Sequence, residues 1–198
     1  RSVSLMGRVE YDFNEKYLAS LTVRRDGSTS FGKNNKFAIF PSASLGWVAS
    51  NEDFFKSETI NFLKLRASYG SVGNDNASPQ FGTISTFPRY SFDGSIISGS
   101  TLLGIPNDDV SWENQIQTNV GVDLRMFDSK LSLTADYFIK TVDDLLFSPT
   151  LSLYLGIPAY PVANIGKTET KGYEISLSYG DDISENVSFN TTFNFTTA

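Results

Sequence analysis

Cysteine and histidine are both missing from the 198 residues, and charged side chains are scarce at 19%. Without cysteine there is no disulfide framework and no thiolate metal site, and without histidine there is no imidazole base or ligand. Most catalytic constellations fall with them. The 16 basic residues are outnumbered by 22 acidic ones, a net charge of −6 that excludes a polybasic nucleic-acid binder. No apolar run approaches the roughly 18 residues of a membrane-spanning helix. The opening RSVSLMGRVE has neither an initiator Met nor a signal-peptide apolar core, so the chain reads as a piece of something longer. What is plentiful is aromatic: 16 Phe, 9 Tyr and 2 Trp make up 14% of the chain.

The pattern is that of strands. From Val3 to Phe13 the odd positions are Val, Leu, Gly, Val, Tyr and Phe, and the even ones Ser, Met, Arg, Glu and Asp. A period of two is the mark of a sheet with unlike faces. Alternation resumes after Asn14 and Glu15 with Tyr17, Ala19, Leu21 and Val23 on one face, which predicts a tight hairpin. Similar runs cover Phe37 to Ala49, Phe62 to Gly70, Gln115 to Met126, Leu131 to Lys140, Gly172 to Tyr179 and Val187 to Thr196. The expectation is all-β, with eight strands and no long helix. Eleven residues at about 3.4 Å, tilted by roughly 45°, span about 26 Å, the height of the apolar belt of an outer-membrane barrel. Soluble sheets average only about 5 to 6 residues per strand.

The connections alternate in length. Asn14 to Lys16, Phe127 to Lys130 and Gly180 to Asn186 are short, while Gly27 to Lys36, Ser71 to Asn114 and Thr141 to Lys171 are long. In a membrane barrel the short turns are periplasmic and the long loops extracellular. Asn51 to Ile60 is the exception, a longer connection on the short side, in which Ser50 or Asn51 is expected to cap one helical turn. Rings fall near both ends of the strands, with Tyr11, Phe13, Tyr17, Trp47, Phe62, Phe127 and Tyr179 toward the short turns. Phe37, Tyr69, Tyr137 and Tyr173 lie toward the long loops. Two aromatic belts at two water interfaces would place them so. The competing architecture is a β-sandwich with an aromatic core, a secreted carbohydrate-binding module.

On the polar face Arg8, Arg24, Lys64, Arg66, Arg125 and Lys140 oppose Glu10, Asp12, Asp26, Asp123, Asp136 and Glu174. Balanced charge suits cross-strand ion pairs, or contacts with something filling the barrel, better than a single-sign selectivity filter. In the long loops Phe81, Tyr90, Phe92, Trp112, Tyr154 and Tyr160, with Phe87, stand among Ser, Gly, Asn and Asp. Such rings either stack on sugar faces and peptide side chains or anchor the loops on themselves. The doublets Asp108-Asp109, Asp143-Asp144 and Asp181-Asp182 and the triplet Asn74-Asp75-Asn76 read as turns. Neighbours in extended chain point to opposite sides, and the triplet lacks the distal Glu of a calcium loop. Gly166-Lys167-Thr168 lacks the glycine spacing of a phosphate loop. No catalytic residue, metal or cofactor is expected, and the chain is not read as an enzyme.

Several ordered motifs carry a resemblance. Arg24 to Gly32 reads RRDGSTSFG and Phe40 to Trp47 reads FPSASLGW; Leu63 to Asn74 reads LKLRASYGSVGN. Trp112-Glu113 precedes TNVGVDLRMFDSKLSLTADYF, and Asn164-Ile165-Gly166 leads to KGYEISLSY. These blocks resemble the SusC/RagA family of TonB-dependent outer-membrane transporters of Bacteroidota-type bacteria, across nearly the whole chain. Ser30 stands where that family commonly has a basic residue, and Thr170 where it often has Asn. Gly27 and Gly32 are expected to allow a tight extracellular turn, and Pro41 to sit where the ladder is irregular. The resemblance implies that residues 1–198 form about eight strands of a barrel of about 22, with plug domain and final strands outside this stretch. It also implies a SusD-like surface lipoprotein partner, the TonB-ExbB-ExbD complex acting through absent N-terminal parts, and contact with outer-membrane lipid. A dimer of transporter-lipoprotein pairs importing a glycan or a peptide across the cell outer membrane completes that expectation.

Overall fold

The structure is a computed structural model describing residues 1–76, 84–85, 89–99, 101–102, 107–149, 152, 154 and 162–198. Its strands are β1 (Ser2–Phe13), β2 (Tyr17–Ser28), β3 (Phe37–Val48), β4 (Ile60–Asn74), β5 (Ile84–Ser85), β6 (Arg89–Phe92) and β7 (Ser95–Ser98). They continue with β8 (Thr101–Leu102), β9 (Glu113–Met126), β10 (Leu131–Asp143), β11 (Leu146–Phe147), β12 (Ala163–Asn164), β13 (Lys167–Ser184) and β14 (Val187–Thr197). Eight of these form one antiparallel sheet in the order β1-β2-β3-β4-β9-β10-β13-β14, each the neighbour of the next long strand in the chain. The other six pair in twos within the long loops, as β5 with β8, β6 with β7 and β11 with β12.

The eight expected strands are all present, and several are longer than the alternation marks. β13 runs for 18 residues, starting at Lys167. Its first turn, Lys-Thr-Glu-Thr-Lys, is polar on both faces, so no apolar period announces it. The ladder to Thr141, Val142 and Asp143 of β10 extends it nonetheless. The small loop strands escape the pattern because they are only two to four residues long. Asp93-Gly94, with φ of 49° and 73°, is the turn signal that marks the β6-β7 hairpin. Asn14, Glu15 and Lys16 connect β1 to β2, with Asn14 and Glu15 left-handed at φ near 55° and the Lys16 N–H closing the turn on the Phe13 carbonyl at 3.0 Å. Such turns match the twist of the flanking strands.

One face of the sheet is apolar from edge to edge. The row beginning at the first turn reads Phe13, Tyr17, Trp47, Leu65, Val122, Ala135, Ile175, Phe195. It stops well short of the turns at 127–130 and 185–186, so the rows run obliquely to the line of turns. That stagger is the strand tilt which barrel closure demands. No second sheet covers this face among the described residues. Leu5, Leu21, Leu45, Val120 and Phe193 are 53 to 74% exposed. A sandwich would have buried them, and the sandwich expectation fails on this point.

The buried apolar side chains gather instead at the two ends. Phe31, Phe40, Val110 and Trp112 form a cluster at the long-loop end, with Ala38 and Leu146 packed against it. Val48 and Ala49 are buried at the other end. Pro41, which has no N–H to give, lies just beyond the β3-β4 ladder, whose end pair is Ser42 with Gly70.

Candidate functional site

The polar face carries three central rows. Arg8, Thr22, Ser42, Gly70, Gln117, Lys140 and Thr170 form one, and Glu10, Ser20, Ser44, Ser68, Asn119, Phe138 and Gly172 the next. Asp12, Leu18, Gly46, Arg66, Gly121, Asp136 and Glu174 form the third. Across β2, β3 and β4 the first two rows are only hydroxyls and glycine, with the Ser20 and Ser44 hydroxyls hydrogen-bonded at 2.8 Å. A cavity of about 710 Å³ opens over this stretch, with Arg8, Glu10, Lys64 and Asn119 among its walls.

Seven of the twelve charges singled out on this face enter ion pairs, and among these only Arg66 pairs across strands, the expected cross-strand pairing being met in part. Arg8 meets Glu10, and Arg24 meets Asp26 at 2.7 Å. Arg66 does more, spanning three strands. Its Nε donates to Asp123 at 2.8 Å and its Nη2 to Asp136 at 3.0 Å. In the register Gly121 stands between Arg66 and Asp136, and a Cβ there would collide with the Asp136 carboxylate and lie 2.9 Å from Arg66 Nη2. The glycine is the gap through which the arginine reaches. Nothing in local pattern marks Gly121, because the constraint lies in two other strands.

At the long-loop end the three long connections meet. Phe31 from the first packs on Trp112 at the end of the second, with ring centroids 5.1 Å apart, and Phe40 meets the same indole edge-on at 5.6 Å. The Asn35 side chain donates to the carbonyls of Asp109 and Val110. Glu113 accepts from Asn74 at 3.1 Å and from the Leu146 N–H at 3.1 Å, joining the second loop to the third. Asn164 accepts from the Ser111 N–H at 2.8 Å and donates to the Ser111 and Asp144 carbonyls at 3.0 and 2.9 Å. Asn107 donates to the Val162 carbonyl at 2.8 Å. Glycine usage here differs from expectation: neither Gly27 nor Gly32 has a left-handed φ. They are small because of close approach. A Cβ on Gly27 would sit 2.5 Å from the Phe37 ring, and one on Gly32 would strike the Asp108 carbonyl.

The six ring candidates divide. Trp112 is buried at 9% exposure in the loop core. Phe92, beside the β6-β7 turn, is 71% exposed, and Tyr154 is fully exposed. Tyr90 belongs to β6 by its backbone. Phe81 and Tyr160, with Phe87, lie outside the described residues. Asp108 and Asp109 fall in a turn, Asp143 pairs with Lys167 at 2.9 Å, and Asp181 pairs with Lys130 at 2.7 Å. Gly166 has φ of +104° and leads into β13 instead of a helix, so no phosphate cradle forms there.

At the short-turn end one carboxylate organises the exceptional connection. Glu52 accepts from the Tyr17 hydroxyl at 2.6 Å, the Trp47 indole N–H at 3.1 Å and the Lys16 ammonium at 3.2 Å. The tyrosine and indole bonds, and then Lys16, hold its carboxyl below the ordinary value. Lys16 is held above its own, chiefly by the hydrogen bond to Glu52. The expected capping is different: the short 3-10 turn Ala49–Asn51 has Val48 at its N-cap and no side-chain cap. Asn51 instead donates to the Glu15 carbonyl of the neighbouring turn at 2.9 Å, tying two hairpins together.

Consecutive long strands, apolar on one side and polar on the other, joined by alternating short turns and long loops, are the wall of a transmembrane β-barrel. The chain belongs to the TonB-dependent receptor family: the family model described as TonB dependent receptor-like, beta-barrel matches residues 1–198. TonB-dependent receptor P3 of Formosa agariphila is 40% identical over 196 residues, 98% of this chain and 19% of that protein. SusC of Bacteroides thetaiotaomicron is 29% identical, over 98% of this chain and 20% of that protein. The solved structure of the RagAB peptide importer in its closed-closed state superposes with a TM-score of 0.85 at 26% identity, covering 98% of this chain and 22% of that one. The chain thus spans about a fifth of the length of the relatives it matches.

Proposed function

We propose that this chain is wall and outer loop from an outer-membrane importer of SusC/RagA type, which takes up glycan fragments or oligopeptides. The observation that carries the reading is the single-layer sheet, whose uncovered apolar face suits bilayer hydrocarbon and whose other face suits a watery lumen. In this reading the apolar rows meet lipid and the long loops face the cell exterior. A plug, and the segment that engages TonB-ExbB-ExbD, belong to parts of the receptor outside residues 1–198. A SusD-like surface lipoprotein covers the mouth, and two such pairs associate. Similarity to the RagAB peptide importer supports the peptide class, and the glycan class rests on the family resemblance alone.

Within the loops, Phe81, Tyr90, Phe92, Tyr154 and Tyr160 are the proposed substrate contacts, with Trp112 as the anchor beneath them. Removing residues 89–98, the β6-β7 hairpin, from the full-length receptor tests this. Uptake of labelled tryptic peptides and of labelled oligosaccharides is measured in whole cells for both forms. Reduced uptake of one pool assigns the substrate class, and unchanged uptake and affinity for both take the hairpin out of the mechanism.

A further inference from the structure

Five segments distant in sequence converge on one point at the outer rim. Residues 26–35 contribute Phe31 and Asn35, and residues 73–74 contribute Asn74. Residues 107–113 contribute Asn107, Trp112 and Glu113. Residues 144–146 contribute the Asp144 carbonyl and the Leu146 N–H, and residues 162–166 contribute Asn164. These are largely the segments whose motifs stand out in the sequence. Six of their hydrogen bonds run from one loop to another: those of Asn35 to Asp109 and Val110, of Asn107 to Val162, of Leu146 to Glu113, and the two between Ser111 and Asn164. Two residues serve as junctions: Glu113 receives one bond at each carboxylate oxygen, and Asn164 uses both its acceptor and its donor. Farther out along the same loops the described rings Phe92 and Tyr154 are open to solvent.

We propose that Asn164 and Glu113 are positioning residues, which lock the bases of the two longest loops to the barrel rim and so fix where the exposed outer parts of those loops present themselves to substrate. The bond pattern ties the base of the third loop to the base of the second and to β9, and the Phe40-Trp112 contact adds β3. Neither junction touches substrate; each acts through the loops it holds. The uptake consequence rests on the transporter reading, whereas the locking itself does not.

Hydrogen exchange of the full-length receptor in outer-membrane vesicles tests the lock directly. Asn164→Ala removes three bonds, and amides in 107–112 and 144–149 are expected to exchange at least about tenfold faster while β10 stays protected. Asn164→Asp keeps the acceptor for Ser111 and loses both donations, so the Ser111 amide is expected to remain slow while the rest of the cluster speeds up. In cells, Asn164→Ala is expected to raise the half-saturation concentration for a fluorescein-labelled tryptic-peptide pool about tenfold with the maximal rate retained. Unchanged exchange at 107–112 and 144–149 overturns the proposal. So does an uptake loss that follows only the amount of folded receptor, with half-saturation unmoved. A wild-type receptor that takes up none of the pool counts against peptide import, and exchange then decides the lock by itself.

Discussion

The two ends of this wall solve one problem in opposite ways. At the long-loop end, Phe31, Phe40, Val110 and Trp112 build a small apolar core, with amide side chains stitching the loops around it. At the short-turn end a single carboxylate, Glu52, gathers a phenol, an indole and an ammonium. Between them the sheet has no core among the described residues, because its apolar side is uncovered and its other side is polar. The difference follows from loop length. Connections of two or three residues are fixed by their own backbone, as the left-handed Asn14-Glu15 turn is, and need only a pin to the next hairpin. Connections of some tens of residues carry too much chain entropy for that, and bury rings to hold their shape.

The largest expected effect breaks the long-loop end. Trp112→Ala leaves a hole between Phe31 and Phe40, and truncation of a buried aromatic costs about 3–5 kcal/mol. Because the sheet ladder does not depend on that ring, proteases added to whole cells should cut within 107–114 while the barrel itself stays folded on unheated gels. The stretch between the ends comes next. Val120→Arg, near the middle of β9 on the apolar face, is expected to cost about 2–4 kcal/mol in a bilayer, read as a lowered folded fraction in urea titrations of reconstituted receptor. The adjacent Asn119→Arg, on the polar face, should lose less than half as much. An equal loss at both positions would remove the assignment of faces.

Third is Gly121→Ala, whose new methyl displaces the Asp136 carboxylate from Arg66. Loss of a hydrogen bond between charged groups predicts about 1–3 kcal/mol, and Arg66→Met should add little once the alanine is present. The smallest effect belongs to the short-turn end and depends on pH. Since the Glu52 carboxyl is depressed when folded, its contribution is whole above the ordinary value of 4.5 and fades as pH falls through the lower folded value. Lys16 is raised when folded, so its share is whole below 10.5 and fades as pH climbs through the higher folded value. The difference in melting temperature between wild type and Glu52→Gln should therefore be steady near neutrality and vanish in acid.

Much of the wall was legible because alternation is a local property: Val3 to Phe13 declares both its faces without reference to any other strand. The register was less so, since Arg66, Gly121 and Asp136 are separated by tens of residues and only pairing aligns them. The loop core was the hardest. Trp112 reads equally as a binding ring or as an anchor until Phe31 and Phe40 are beside it, and Gly32 reads as a turn residue until the Asp108 carbonyl is found against it. Glu52 gave one signal that went unread. A carboxylate five residues past Trp47, in the only long connection on its side, is a natural partner for an indole N–H that needs an acceptor.

The lane of hydroxyls and glycine formed by Ser20, Thr22, Ser42, Ser44, Ser68 and Gly70 has a steric consequence. Side chains this short leave headroom above β2, β3 and β4, and that headroom is the hollow of about 710 Å³ walled by the longer Arg8, Glu10, Lys64 and Asn119. Its floor is chemically two-sided, because each hydroxyl can both give and take a proton bond.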